Sequence, residues 1–294
     1  MTRVCSAHNW HTGALGIIAG GGVLPARVAA AARATGRLRV LIGLQGFADP
    51  ALLAPYPHVF ARIGAAGRIL ELLRAHRCTE VVLIGAVRRP SLLDIRPDGE
   101  GTRILARIGR AAFAGDDGLL AAVARVLGEE GFRVVAAHDV LGEALSPPGL
   151  LAGTAPDALA MADILRGTEV ARALGRADVG QGCVVQQGIV LAVEAAEGTD
   201  AMLARCAGLA REGPGGVLVK LVKPGQDRRA DLPTIGLETV RGAAACGLRG
   251  IAVEAGGTLL VDRAALFDAV RAAGLFLYGL DPDSAPGLVN GGSS

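Results

Sequence analysis

Through the first half of this chain, short unbroken apolar runs alternate with stretches of helical periodicity, and few folds accommodate that order. Leu15-Gly-Ile-Ile-Ala reads as a strand entering a turn at Gly20-Gly21-Gly22, and residues 38–44, 80–87 and 132–137 read as three more strands. Helical stretches fall between them, from Pro25 to about residue 34, over 63–76, and then over about 101–113 and 117–130. Strands that are apolar at consecutive positions, rather than at alternate ones, need a helical layer on both faces. Strand–helix–strand order also favours parallel pairing. The expectation for residues 1–145 is an α/β domain with a Rossmann-like, mostly parallel sheet and helices on both faces. Residues 1–14 are read as an extension.

Ser146-Pro-Pro-Gly149 interrupts both periodicities and reads as a linker. Beyond it come a helix over 156–175 and a hairpin of 182–187 with 189–195, turning at Gln187-Gly188. A helix over 199–211, a strand over 216–222 and a helix over 237–247 follow. A second hairpin of 251–254 with 258–261, a last helix and a strand over 276–279 complete the order. Hairpins mixed with helices predict an α+β domain over 150–280. The Pro, Gly and Ser content beyond it predicts a flexible tail over 281–294.

Several function classes are disfavoured. A length of 294 residues with 51% apolar composition describes a globular chain with a substantial core. A net charge of +2 and an aromatic content of 3% provide neither the basic footprint nor the stacking rings of a nucleic-acid binder. The five cysteines lack metal-ligand spacing and suit a reducing compartment. No apolar run reaches the roughly 18 residues that span a bilayer. The first residues also lack the apolar core of a signal peptide. A cytoplasmic chain is expected, with peripheral contact at a membrane surface left open.

The densest chemistry lies in Lys220-Leu-Val-Lys-Pro-Gly-Gln-Asp-Arg-Arg-Ala-Asp-Leu-Pro-Thr-Ile-Gly236, which contains the only two lysines of the chain. Gly225 and Pro233 forbid a continuous helix, so a shaped turn presents the polar groups. Lys220 and Lys223 are compact cations suited to phosphate, and Arg228 and Arg229 can grip phosphate oxygens in bidentate fashion. Asp227 and Asp231 can face one Mg²⁺ or one attacking water if the loop turns back on itself. A surface salt-bridge network is the competing reading.

Other segments carry two readings each. Gly20-Gly21-Gly22 is either a phosphate cradle at a helix N-terminus or a tight packing turn. The dinucleotide fingerprint fails, because Pro25 occupies its third glycine position and Leu44-Gln45-Gly46 lacks the acidic residue, which counts against a nucleotide-binding oxidoreductase. Asp116 and Asp117 suit a helix cap or a divalent ion. Arg88-Arg89-Pro90 is a strand-end ligand group or a solvated turn. Glu194, Glu197 and Asp200 gather negative charge at one end of the proposed hairpin, suggesting metal or substrate contact, although Thr199 or Asp200 is also an ordinary N-cap candidate. His8 and His11 give a weak metal spacing, and Cys183 and Cys206 read as small hydrophobes.

Taken in order, these pieces resemble the UDP-2,3-diacylglucosamine pyrophosphatases of the LpxI type, from bacterial lipid A synthesis. The resemblance runs from near residue 15 to near 280. It rests on Leu15-Gly-Ile-Ile-Ala-Gly-Gly-Gly-Val-Leu-Pro25, Gly85-Ala-Val-Arg-Arg-Pro-Ser91, Gly115-Asp-Asp and Glu130-Gly-Phe-Arg-Val-Val135. Asp178-Val-Gly-Gln181, Glu197-Gly-Thr-Asp-Ala-Met202, the stretch from Gln226 to Gly236, and Glu254-Ala-Gly256 complete it. It implies a two-domain, Mg²⁺-dependent hydrolase of lipopolysaccharide metabolism, with an acylated UDP-sugar held between the domains. The products would be UMP and 2,3-diacylglucosamine 1-phosphate (lipid X). Peripheral contact with the cytoplasmic face of the inner membrane stays open. A homodimer and a non-catalytic nucleotide-sugar or acyl-sugar binder stay open. The family's catalytic carboxylate carries over to Asp227 or Asp231. With the residue reading, catalysis falls to Asp227, Asp231 and Lys220, and metal binding to Asp227, Asp231 and Asp200. Substrate contact falls to Gly20, Gly21, Gly22, Arg88, Lys223, Arg228, Thr199, Thr234 and Glu254.

Overall fold

The computed structural model describes residues 13–87, 97–109, 116–142, 145–229 and 232–281. It divides into two compact units, the first built on residues up to Gly142 together with Arg229, and the second on the other residues that follow.

In the first unit, β1 (Leu15–Ala19), β2 (Leu38–Leu44), β3 (His58–Ala61), β4 (Glu80–Ile84) and β5 (Arg133–Val134) form one sheet in the order β3-β2-β1-β4-β5. Every pairing in it is parallel. The helices are α1 (Leu24–Ala34), α2 (Pro50–Leu53), α3 (Ala66–Ala75), α4 (Gly99–Ile108), α5 (Asp116–Glu129) and α6 (Ala137–Leu141). Alternation along the strands sends neighbouring side chains into two separate cores. Val40, Ile42, Val81 and Leu83 pack with Ile69 and Leu73 of α3, Ile104 of α4 and Val126 of α5. Leu41 and Val82 pack with Val28 of α1, Leu53 of α2 and Ala137 of α6. Continuous apolar strands are therefore what this doubly covered sheet requires. The direction of winding reverses between β1 and β4, so their C-terminal ends flank a topological switch point.

The second unit holds β6 (Gly149–Ala152), α7 (Ala158–Arg176), β7 (Gly182–Gln186), β8 (Ile189–Val193), α8 (Thr199–Cys206) and β9 (Val217–Lys220). After these come β10 (Thr234–Ile235), α9 (Leu237–Ala245), β11 (Gly250–Glu254), β12 (Leu259–Leu260), α10 (Arg263–Ala272) and β13 (Phe276–Leu280). The main sheet is mixed, in the order β6-β13-β11-β9-β7-β8. Strands β9, β11 and β13 are parallel, and β7–β8 is the expected hairpin. Helices α8, α9 and α10 cover one face with Met202, Leu203, Val240, Leu266 and Val270. Helix α7 covers the other with Ala160, Ile164 and Ala171.

Three expectations are corrected. The segments 251–254 and 258–261 do not form a hairpin: β11 pairs with β9 and β13, whereas β12 pairs in parallel with β10. Ser146 to Gly149 is no free linker, because Ser146 is buried, donates its hydroxyl to Glu254 O at 2.7 Å, and leads directly into β6. Residues 132–137 supply only the two-residue β5 before α6 begins.

Candidate active site

In the second unit the parallel strands end at Lys220 and Glu254, and the antiparallel hairpin delivers Gly182 and Glu194 to the same end. The carboxyl ends of parallel strands are where α/β sheets place their ligands. Strand alternation splits the charges between the faces. Lys220 shares the parity of Leu218, which packs beneath α8, and Glu254 shares that of Ala252, which packs against α7.

Lys220 is 7% exposed and donates to Thr199 Oγ1 at 2.7 Å. The Thr199 hydroxyl in turn donates to Glu194 Oε1 at 2.7 Å. Thr199 does not cap α8: the N-cap is Gly198, with φ +81°, and Thr199 opens the helix proper. Its hydroxyl serves the tertiary contact instead of the helix end. Asp200 is exposed in the first turn of α8, where its charge complements the helix dipole. Glu197 is held by Arg205 at 2.8 Å, and that hydrogen bond keeps its carboxyl below the usual range.

Past β9 the chain turns at Lys223-Pro224-Gly225-Gln226. Gln226 N donates to Lys223 O at 3.1 Å, and Gly225 takes φ +83°, the residue placement of a type II turn. The Gln226 side chain accepts from Lys223 N at 3.1 Å, and Lys223 Nζ meets Asp178 Oδ1 at 2.7 Å. Glu254 accepts from Val222 N at 3.2 Å and from Arg228 at 3.1 Å. Burial pushes the Glu254 carboxyl above its ordinary value, against the pull of those two groups. Asp227 is half-buried on the same loop. Thr234 lies on β10 and donates to Leu232 O at 3.2 Å. Asp231, Arg88 and Arg89 lie outside the described residues, as do His8, His11 and the side chains of Asp116 and Asp117.

In the first unit, Gly20, Gly21 and Gly22 follow β1 at the switch point. Gly20 N donates to Ile84 O at 2.8 Å, and Gly21 pairs with Ala86 in an isolated antiparallel bridge. A Cβ on Gly20 would stand 2.7 Å from the carbonyl oxygens of Gly85 and Ala86, so close approach of two loops explains this glycine. Gly22 differs: space around it is open and its φ is +87°. The α1 N-terminus beside it has neither a side-chain cap nor an acidic residue in its first turn. That helix end can receive an anion.

The sequence singled out Lys220, Lys223, Asp227, Arg228 and Glu254; the structure sets Lys220 and Glu254 at the carboxyl ends of β9 and β11, on opposite faces, and Lys223, Asp227 and Arg228 on the loop that follows β9. It understated Asp178 and Glu194, the carboxylates that hold Lys223 and, through a hydroxyl, Lys220. Their signal was the clustering of acids at both ends of the hairpin. Buried cysteines behave as expected: Cys183 is fully buried, and burial pushes its thiol up to about 12.

Fold and site together define a two-unit α/β protein whose polar groups gather where parallel strands end, the arrangement that α/β enzymes use. Residues 14–144 match the LpxI N-terminal domain and residues 147–278 the LpxI C-terminal domain. The chain is 46% identical over 278 residues to a Caulobacter vibrioides protein named UDP-2,3-diacylglucosamine pyrophosphatase LpxI, covering 92% of this chain and 99% of that one. This chain belongs to the LpxI family.

Proposed function

We propose that this chain is a hydrolase of lipid A biosynthesis that cleaves the pyrophosphate of UDP-2,3-diacylglucosamine to UMP and 2,3-diacylglucosamine 1-phosphate. What carries the reading is a buried ammonium, Lys220, at a strand end of a chain nearly half identical, along almost its whole length, to a protein named for that reaction.

Pyrophosphate hydrolysis sets the protein two tasks, neutralising oxygens and holding a water in line. Lys220 suits the first. Its ammonium is anchored by one hydrogen bond, and its remaining N–H groups are positioned for anionic oxygens in a place where water screens poorly. Lys223 and Arg228 add positive charge from the adjoining turn, each steadied by a carboxylate. Asp227 or Asp231 takes the second task, accepting a proton from the attacking water.

Among the described residues, no group of three or more His, Cys, Asp or Glu stands close enough to cage a cation. A Mg²⁺ that travels with a pyrophosphate asks for less, one or two carboxylates with substrate oxygens and water completing the shell. Asp227, Asp231 and Asp200 are the carboxylates that would hold it. When bound, the ion supplies charge neutralisation at the phosphate oxygens. The two acyl chains need an apolar surface, each buried CH₂ contributing about 0.8 kcal/mol. Among the described residues no helix is long and apolar enough to cross a membrane.

The test is incubation of the purified chain with UDP-2,3-diacylglucosamine and Mg²⁺, with and without chelator, following UMP. Release of UMP that stops with chelator is expected. Binding of the substrate without UMP in either arm would leave a nucleotide-sugar binder in place of the enzyme.

A further inference from the structure

Glu194 is 7% exposed, and its Oε2 has no hydrogen-bond partner. A carboxylate removed from water without full compensation is costly and calls for a reason. The register supplies one. Gly182 of β7 stands opposite Lys220 of β9. On its other side the β7–β8 register, with Cys183 opposite Val193, brings Gly182 opposite Glu194, and Glu194 N donates to Gly182 O at 2.8 Å. Glu194, Gly182 and Lys220 therefore form one cross-strand row with side chains on the same face. Two strand spacings separate the outer members, about 9–10 Å between backbones. The middle residue has no side chain, so both long side chains can lean over it.

They do not meet directly. The hydroxyl of Thr199, at the start of α8 above this face, sits between them, donating to Glu194 and accepting from Lys220, each at 2.7 Å. A direct ion pair would draw the ammonium onto the carboxylate. The interposed hydroxyl instead takes one N–H and leaves two for another anion, while the nearby negative charge offsets the cost of burying the cation. Gly182 is the floor of this arrangement: a Cβ there would stand 2.8 Å from Glu194 Oε2.

We propose that Glu194, acting through the Thr199 hydroxyl across the bare backbone of Gly182, is a positioning residue that aims the Lys220 ammonium at a phosphate oxygen of the substrate. The catalytic half of this statement rests on the pyrophosphatase reading; the positioning half does not.

The chain's two lysines allow the halves to be tested apart. Lysine-selective ¹⁵N labelling yields two ammonium signals, assigned with Lys223→Arg. The Lys220 signal is expected to be protected from exchange in the wild type and in Thr199→Ser, and to shift or broaden away in Thr199→Val, Glu194→Gln and Gly182→Ala. An unchanged Lys220 signal in Thr199→Val and Glu194→Gln overturns the proposal, whatever the substrate. With UDP-2,3-diacylglucosamine, the same three variants are expected to lose roughly 10–100-fold in kcat, as when outer partners of a functional group are removed. KM is expected to change little, and Thr199→Ser to recover most of the rate. A wild type that releases no UMP sinks the pyrophosphatase reading and leaves the NMR result to judge the positioning. A wild type that turns over alongside Thr199→Val and Glu194→Gln variants of equal kcat overturns the catalytic half.

Discussion

Gly21 and Ala86 exchange both of their backbone hydrogen bonds, Gly21 N to Ala86 O at 2.8 Å and Ala86 N to Gly21 O at 3.0 Å. This reciprocal pair ties together the loops that leave β1 and β4 and fixes the mouth of the switch point. It works only if the neighbouring backbones can touch. Gly20→Ala would place a methyl 2.7 Å from two backbone carbonyl oxygens, neither of which can swing aside as a side-chain tip could. The expected cost is about 1–3 kcal/mol, typical of overpacking. Urea denaturation checks it, and an unchanged midpoint would mean the two loops part easily.

A second anchor of the first unit is Asp98. Its Oδ1 accepts from Gly101 N at 2.6 Å and Gly67 N at 3.2 Å, and its Oδ2 accepts from Arg68 N at 3.2 Å. One carboxylate thus serves the N-terminal ends of both α3 and α4. Desolvation works to raise this carboxyl, but the three N–H groups and the charge of Arg62 outweigh it and hold it below the ordinary value of 3.8. The stabilisation is therefore complete above pH 3.8 and fades as pH falls through the lowered folded value. Asp98→Ala is expected to cost about 1–2 kcal/mol at neutral pH, as lost caps do. The gap to wild type should narrow in strong acid, which melting curves across that range will show.

The doubly covered sheet was legible because it leaves a mark at every residue: Leu41 needs one apolar layer and Val40 and Ile42 the other. Pairing between distant short strands leaves no such mark. Leu259–Leu260 looks like the return of a hairpin because it follows a glycine turn, yet its partner is Thr234–Ile235, in parallel. Gly149–Ala152 pairs with β13 after two prolines that read as a break. Thr199 shows a different limit. A threonine ahead of a helical run satisfies the capping rule, but a buried carboxylate and ammonium competed for its hydroxyl and won. At the site, the rarity of lysine marked positions 220 and 223. Burial supplies the physical reason, since a compact ammonium fits an enclosed position that a guanidinium fork would overfill.

Glu254 offers a pH test of the second unit. Burial raises its carboxyl above the ordinary value of 4.5, outweighing the Val222 N–H and the charges of Arg228 and Arg172. Below pH 4.5 the carboxyl is protonated in both the folded and unfolded states and no ionisation penalty arises. Above 4.5 the unfolded chain releases its proton first, so the folded state binds more protons. Stability is then lost as pH rises through the elevated folded value. Glu254→Gln keeps the shape and one acceptor but has no such step. Its stability relative to wild type is expected to rise between pH 4.5 and 7. Parallel urea midpoints for the two proteins across that interval would mean that the carboxylate is fully compensated in place.

Asp227 follows a turn whose backbone is fixed by Gly225 and by the Gln226 side chain. A substitution that keeps its size should spare the fold and strike the chemistry alone. Asp227→Asn removes a proton acceptor and a negative charge while preserving volume. If this carboxylate orients the attacking water or shares a Mg²⁺, kcat for UDP-2,3-diacylglucosamine should fall on the order of 10²–10⁴-fold, the range of general-base contributions. The melting temperature should stay close to wild type. Asp231→Asn, compared in parallel, decides between the two loop acids: whichever variant keeps a near-wild-type rate is not the base. If both keep it, the water is activated from outside this loop, and the assignment of catalysis to the lysine-bearing strand end fails with it.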